Sequence, residues 1–363
     1  MRTGKLVRWG VPVAAVAVIG AAVAAGPVIA AVGADPVLPE RTASRLLADA
    51  AAAARRSDGP PPMSGTVTKT ASLGLPQLPG GPESPAALLS GAHEAKVWYG
   101  SHDRLRVALP GEMSEKNLIV NGEQAWLWDS SSNTATKIKM PAGEGQPVTP
   151  QPTDLTPQQA GERLLAEADR HSTVSVTNTD RVAGRPVYQL VLTPKDPATL
   201  VREVRLAVDG ETYVPLRVQV YAKGSAEPAF ELGFTEIAFE PPAEENFTFT
   251  PPQGVKVEEK DLGSLRPDER SHEGHKQEDP PVKTVGDGWG TIAVLPFDRA
   301  SAAEGEGRQV LDSVLAGATP VSGSWGSGRI VKSKLLTALL TDDGRLLVGA
   351  VTPDRLIEAA GTR

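Results

Sequence analysis

From Asp103 onward the apolar positions recur every second residue. Leu105, Val107 and Leu109 fall on one side of this stretch, and Arg104, Arg106 and Ala108 on the other. That alternation predicts a strand with one wet face. Residues 118–130 predict a hairpin, with Asn121-Gly122 supplying the two positive-φ positions of a type I′ turn. Beyond the turn, Trp126 and Trp128 share one face, and Ala125 and Leu127 the other. Asp129 to Asn133 read as a second turn, before a strand carrying Thr136, Ile138 and Met140 on one side. Strands resume at Ser172. Tyr188, Leu190 and Leu192 are in phase. Val204, Leu206 and Val208 lead into an Asp209-Gly210 turn, and Val214, Leu216, Val218 and Val220 return from it. Phe230, Leu232 and Phe234 are in phase with one another, and Ile237 and Phe239 are out of phase with them. A phase slip inside one strand predicts a β-bulge near Thr235 or Glu236.

Helical periodicity is confined to short stretches. Arg41 to Arg56 is Ala-rich, with Leu46 and Leu47 on one side, and ends at Ser57-Asp58-Gly59 and three prolines. Thr156-Pro157-Gln158-Gln159 predicts a helix start, with a Thr cap, Pro at the first position and Gln three after the cap. That helix should run to about Asp169 and bury Ala160, Leu164 and Ala168.

The two ends of the chain add a division into parts. Arg2, Lys5 and Arg8 precede an apolar run from Val11 to Val32. A basic segment before an apolar stretch predicts export, with residues 1–34 as a signal peptide or an uncleaved membrane anchor. Ala30 and Ala34 offer cleavage positions, and the run is also long enough to span a bilayer. Residues 40–257 carry the strand pattern. Residues 258–286 are charged and hold three prolines, which predicts a flexible linker. Residues 287–363 resume a pattern. Thr291 to Phe297 reads as a strand, Arg308 to Leu315 as a short helix, and Arg329–Leu340 with Arg345–Val351 as a hairpin closed at Asp342-Asp343-Gly344. A last helix follows Thr352-Pro353. This predicts a small α+β domain. The chain as a whole is therefore expected to be α+β, and to work outside the cytoplasm, either secreted or anchored to the outer face of the cytoplasmic membrane.

Composition narrows the function. A net charge of -7 argues against nucleic acid as a partner. No cysteine is present, so stability must come from burial and there is no thiol chemistry. Covalent or acid–base catalysis needs a nucleophile and an oriented base. His93, His102 and His171 sit among polar residues at strand or loop edges, and no nucleophile elbow, HExxH or phosphate loop occurs. No catalytic residue and no cofactor is assigned, and the chain is read as a non-enzyme. His272 and His275, among Asp268, Glu269, Glu278 and Asp279, have a metal-like spacing. They lie in the charged linker, where nothing fixes a geometry, so no metal site is assigned.

The stretches NGEQAWLWDSSSNTATKIKMP (121–141), VAGRPVYQLVLTPKD (182–196), LAVDGETYVPLRVQVY (206–221) and ENFTFTPPQGVKV (245–257) resemble, in order and spacing, the LolA/LppX/RseB superfamily of lipoprotein and lipid carriers. The resemblance covers roughly residues 40–257. The extra C-terminal part, with GWGTIA and ALLTDDGRLLVGAV, is similar to high-GC Gram-positive members, and RseB too carries a second domain. The resemblance implies a strongly curved antiparallel sheet, an incomplete β-barrel with a helical lid over an apolar cavity. It implies a lipid or lipoprotein acyl-chain carrier, and no enzyme. The alternative it offers is an RseB/MucB-like regulator that binds the outer part of a membrane anti-sigma factor, with a membrane protein as partner.

A dry concavity has a physical use, because each CH₂ removed from water is worth ~0.8 kcal/mol, or roughly 10 kcal/mol for one acyl chain. After the Asn121-Gly122 turn, either Trp126 and Trp128 or Ala125 and Leu127 would face such a cavity. A carrier needs space, which favours the smaller residues. The candidate apolar wall is therefore Leu127, Leu190, Val218, Phe230 and Leu232.

Overall fold

The structure, a computed structural model, describes residues 38–54, 56, 59–75, 90–139, 157–261, 283–297 and 312–362. The leader, the Thr156 cap, the first residues of the Arg308–Leu315 helix and the His272–His275 pair lie outside the described residues.

Twelve strands form one sheet. In chain order they are β1 (Met63–Ser72), β2 (Ser90–Ser101), β3 (Arg104–Pro110), β4 (Glu115–Asn121), β5 (Gln124–Asp129), β6 (Thr134–Lys139), β7 (Ser172–Val182), β8 (Arg185–Pro194), β9 (Val201–Asp209), β10 (Pro215–Ala222), β11 (Pro228–Ala238) and β12 (Lys256–Asp261). Their spatial order is β12-β6-β5-β4-β3-β2-β1-β11-β10-β9-β8-β7. The chain thus makes two antiparallel meanders, β1 to β6 and β7 to β11, sewn together where β1 meets β11. Among the described residues only one pairing in this sheet breaks the antiparallel rule: β12 runs parallel to β6, so the sheet is mixed.

Two helices belong to this sheet. Helix α1 (Ala43–Ala54) starts where the Thr42 hydroxyl accepts from the Arg45 amide at 3.2 Å, a side-chain N-cap. It lays Leu46 on β8 and β9, where Leu46 joins Tyr188, Leu190 and Val208 in one buried cluster. Helix α2 (Pro157–His171) lies across α1. Gly161 makes the crossing: a Cβ there would stand 2.6 Å from the Ala48 amide nitrogen. Gly161 is buried in that contact, whereas Leu164 is 52% exposed. The expected burial of Leu164 is therefore corrected. A close backbone crossing selects the residue without a side chain, and this turns the next leucine out.

Six more strands make a second, antiparallel sheet, β13 (Lys283–Val285), β14 (Ile292–Pro296), β15 (Thr319–Gly323), β16 (Gly326–Lys332), β17 (Thr337–Thr341) and β18 (Arg345–Gly349), ordered β13-β14-β18-β17-β16-β15. Helix α3 (Pro353–Gly361) buries Leu356, Ala359 and Ala360 against it. The chain is accordingly mostly β with a few helices, with a large mixed sheet and a separate antiparallel one. The stretch Arg329–Leu340 is two strands rather than one. Ser333 breaks it, its hydroxyl accepting from the amides of Leu335 and Leu336 and donating to the Leu336 carbonyl. The first sheet also runs on to Asp261, past residue 257, because β12 takes up the open edge of β6.

Two local predictions can be compared in detail. The slip near Thr235 is present: Thr66 pairs with Glu236 and Val67 with Phe234, leaving Thr235 as the extra residue. The first hairpin turn differs. Asn121 pairs with Gln124, so the turn is Gly122-Glu123, and of these only Gly122 has positive φ (61°). A glycine at the first central position is the signature of a type II′ turn.

Candidate functional site

The register of the large sheet builds lateral rows of side chains. Directly paired residues of neighbouring strands point to the same side. One row runs Val176, Leu190, Leu206, Val218, Leu232, Lys69, His93, across β7 to β11 and on to β1 and β2. The next row is Val174, Leu192, Val204, Val220, Phe230, Ala71. Four of the five wall candidates, Leu190, Val218, Phe230 and Leu232, therefore stand side by side on one face. Two residues further along, β2 steps from His93 to Ala95, and two more to Val97. From Val97 a third row crosses β3 to β5 as Val107, Leu118 and Leu127. Leu127, the fifth candidate, lies on this row.

Cover over the face changes from one half to the other. Over β7 to β9 it is closed by α1, with Leu190 6% exposed. Val218 is buried, and Phe230 and Leu232 are half-buried. Over β3 to β5 it is open only in part: Leu109 is 46% and Leu127 44% exposed and Leu118 half-buried, whereas Ala125 is buried and Val107 packs with the buried Val97 against Val67 and Phe234. Leu109, at the alternate position beyond Val107 on β3, extends the open patch.

On the reverse face of β2 to β6 the situation is inverted. Ile119, Trp128, Ala135 and Asn117 are buried. Segment 240–255 causes this. Its 3₁₀ turn Glu244–Phe247 buries Phe247, and Phe249 follows, with ring centroids 5.4 Å from Trp126 and 6.0 Å from Trp128. Phe247 lies against Gly100, where a Cβ would meet the ring at 3.1 Å. Of the two alternatives for β5, Trp126 and Trp128 belong to this packed reverse face, and Ala125 and Leu127 to the other. Phe249 and its partners were not legible as a unit, because the rings come from segments more than a hundred residues apart. Leu109, by contrast, was visible in the alternation, as the last apolar residue of its strand.

Charge enters the apolar face at two neighbouring places. Lys69 stands between Val67 and Ala71 along β1, opposite Leu232 on β11 and His93 on β2. Burial pulls the Lys69 ammonium below the usual lysine pKa. The His93 Nε2 lies 3.0 Å from the Ser90 carbonyl. At the rim, Lys116 and Asp129 pair at 3.7 Å.

The lower ends of the strands are tied by a separate polar knot. Arg185 reaches Asp209 through both carboxylate oxygens, one at 3.0 Å, while the Thr212 amide and hydroxyl add bonds at 2.8 and 2.9 Å. Burial pushes the Asp209 carboxyl up, but Arg185 and Thr212 outweigh it and hold the pKa below the usual carboxylate range. The Arg185 guanidinium also lies 4.7 Å from the Phe239 ring.

Two clefts lie away from the apolar face. One, of about 450 Å³, is lined by Glu123, Gln124, Lys137, Lys139, Glu259 and Lys260, and the other, of about 410 Å³, by residues of the second sheet such as Arg329, Asp342 and Asp343. Both are polar and open. Among the described residues, no group of three or more His, Asp or Glu side chains could hold a metal ion, and no helix is long and apolar enough to cross a membrane.

The second sheet is docked on the first by backbone. Thr199 and Val351 form an antiparallel bridge, with Leu200 N donating to Ala350 O at 2.7 Å and Thr352 N to Ala198 O at 2.8 Å. Trp289 donates to the Ser172 hydroxyl at 2.8 Å, and the Lys334 amide to Leu73 O at 2.7 Å. Flanking Trp289, Gly288 and Gly290 press on His171 and Asp196, where a Cβ would come within 2.4 Å of either side chain.

Residues 83–258 match the family model described as a predicted periplasmic protein (DUF2092). That description places the family outside the cytoplasm. No curated protein matches the chain. Among solved structures, the chain is similar to a chain of the Pseudomonas aeruginosa MucA/MucB complex, at 17% identity over 88% of this chain and 96% of that one, with a TM-score of 0.40. It is similar to an uncharacterized conserved protein of Thermus thermophilus, at 12% identity over 61% of this chain and 100% of that one, TM-score 0.33. A LolA superfamily protein from Nitrosomonas europaea shares 14% identity over 58% of this chain and 99% of that one, TM-score 0.22.

Proposed function

We propose that this is an extracytoplasmic, non-enzymatic binding protein whose apolar sheet face takes up an acyl chain. One observation supports this above others: the face closed by α1 over β7 to β9 carries a further apolar row on β3 to β5, Val107, Leu118 and Leu127, next to which Leu109 lies, and there Leu109 and Leu127 are open to water. Leucines left in water are costly, at roughly 1.5–3 kcal/mol for each side chain that could be buried, and a contiguous exposed apolar patch marks a binding surface. In this reading Leu127, Leu190, Val218, Phe230 and Leu232 belong to one wall, and the sheet bends as an incomplete barrel with α1 and α2 as its lid. Contacts between strands that are not neighbours favour the bend. Arg217 of β10 donates to Asp180 of β7 at 2.6 Å, and Arg185 of β8 meets Phe239 beyond β11. The register shifts at Thr235 and Leu216, and between Thr177 and Asp180, are bulges of the kind that bend strands.

The second domain bears on the choice between a carrier and a regulator. A single-domain carrier has no use for six further strands docked through the Thr199–Val351 bridge. This favours the RseB-like alternative, in which a lipid-responsive first domain and a second domain together engage the outer part of a membrane protein. The leader at residues 1–34 serves either reading, as a cleaved signal or as an anchor. Limited proteolysis should cut first within the charged stretch 258–286, most of which lies outside the described residues. The test of function has two arms. Displacement of a fluorescent fatty acid should show binding by the mature protein. A pull-down from detergent-solubilised membranes should retain a membrane protein with the full chain and lose it when residues 283–363 are removed. Absence of acyl binding in every lipid class tried would overturn the wall. Capture unaffected by the deletion would return the protein to the carrier class.

A further inference from the structure

We infer that the second domain controls the lid: its turn Gly288-Trp289-Gly290 grips the C-terminal end of α2, so that movement of α2 and docking of the second domain are linked. The grip stands on contacts between the two domains. Its use in gating a ligand rests on the reading of α1 and α2 as the lid of the apolar face.

Helix α2 ends at His171, and β7 begins at the next residue, Ser172. The last carbonyls of a helix have no partner within it. Here the His171 carbonyl accepts from the Lys195 amide at 2.9 Å, and the Asp169 carbonyl accepts from the Lys195 ammonium. The loop between β8 and β9 therefore caps the helix. The second domain adds the rest. Trp289 Nε1 donates to Ser172 Oγ at 2.8 Å, and Ser172 is only 2% exposed, so loss of the indole leaves a buried hydroxyl without its donor. Gly288 has a φ of 51° and sets its backbone on the His171 ring, where any Cβ would collide. Asp287 Oδ2 stands 3.9 Å from His171 Nδ1.

The loop that caps α2 is also the seat of the second domain. Within 195–200, the Asp196 carboxylate accepts from the Ala198 amide at 2.8 Å and lies against Gly290. The Thr199 hydroxyl donates to the Ala350 carbonyl at 2.7 Å, beside the Thr199–Val351 bridge. This one loop holds α2 at its start and the second domain at its end. A shift of the second domain pulls on the loop, and with it on Lys195, and strains the bond from Trp289 to Ser172. The other part of α2 carries Gly161, which crosses Ala48 of α1 about 15 Å from His171 at 1.5 Å per residue. A hydrogen-bonded helix moves as a rod, so a displacement at one end reaches the other. A ligand that lifts α2 weakens the docking, and a partner that draws the second domain away frees α2 by the same factor.

The experiment is hydrogen exchange by mass spectrometry on the full chain without ligand. It compares wild type with Trp289→Phe and Ser172→Ala, which remove the two sides of one hydrogen bond. Each should speed exchange in 157–171 by roughly threefold to tenfold, the effect of one hydrogen bond on local opening. The double variant should add nothing to the larger single effect. Gly161→Val, in the other part of α2, should speed exchange in 286–291 in return, and β3 to β5 should be unchanged in every variant. If Trp289→Phe fails to fold, Ser172→Ala decides, because it leaves the second domain's own residues intact. Unchanged exchange in α2, or a rise shared equally by both sheets, overturns the grip. A second arm follows the entry of a fluorescent polyene fatty acid by stopped flow. Entry should be at least about threefold faster in Ser172→Ala than in wild type, on the same hydrogen-bond scale. An unchanged entry rate overturns the control of the lid. Binding of no fatty acid by the wild type overturns the lid reading and its control together, while the exchange data still decide the grip.

Discussion

The two halves of the large sheet have the same alternation in sequence and opposite fates in the fold. In β7 to β9 the apolar side is covered, by Leu46 and its helix, and Leu190 is nearly inaccessible. In β3 to β5 the apolar side carries Leu109 and Leu127 in contact with water, and the side with arginines and tryptophans is the one packed over, by Phe247 and Phe249. Period-two patterning tells which residues share a face. It does not tell which face receives a cover, because the cover comes from elsewhere in the chain. The half whose apolar side is left open is where a ligand can complete the core.

If that contrast is right, the halves should respond differently to substitution. The largest loss should come from the knot that ties the closed half. Arg185→Ala leaves the buried Asp209 carboxylate without its guanidinium and should cost about 3–5 kcal/mol in denaturant unfolding. The same pair predicts an acid limb. The Asp209 pKa is depressed in the fold, so its stabilising contribution is complete above the unfolded value of about 3.9 and is lost as pH falls through the folded value. Melts from pH 5 downward should show this limb in the wild type and a smaller one in Arg185→Ala. Leu190→Ala, in the closed half, should cost about 2–5 kcal/mol. Gly161→Val sets a side chain against the Ala48 backbone and should cost about 1–3 kcal/mol by forcing the two helices apart. Leu127→Ala, in the open half, should fall within about 0.5 kcal/mol of wild type, as exposed positions do. A Leu127→Ala loss as large as that of Leu190→Ala would break the comparison.

What could be read beforehand follows the same line. The bulge at Thr235 is legible because the slip from Phe234 to Ile237 is written in one strand. The turn at Gly122 is legible to within one residue, since a glycine marks it, while the pairing of Asn121 with Gln124 that decides its type depends on the partner strand. Leu190, Val218, Phe230 and Leu232 share a face because alternation in β8, β10 and β11 carries through the paired strands between the bulges. Leu164 is misread because the α2 crossing is decided by Gly161 and Ala48, two residues whose importance lies in having little or no side chain. Lys69 gives no apolar signal, and its place in the row emerges only when β1 is found to join the two meanders.

The absence of cysteine from the sequence allows the most direct test of the open face, because any introduced thiol is unique. An environment-sensitive dye attached to Leu127→Cys would sit on the open apolar face, and the same dye on Lys139→Cys, at an exposed position next to Gln124, would sit on the reverse face of the same meander. Adding a long-chain fatty acid should shift the emission of the dye at position 127 to the blue and leave the dye at 139 unchanged. No shift at 127, or an equal shift at both positions, would contradict the claim that the open half of the sheet is where this protein receives its ligand.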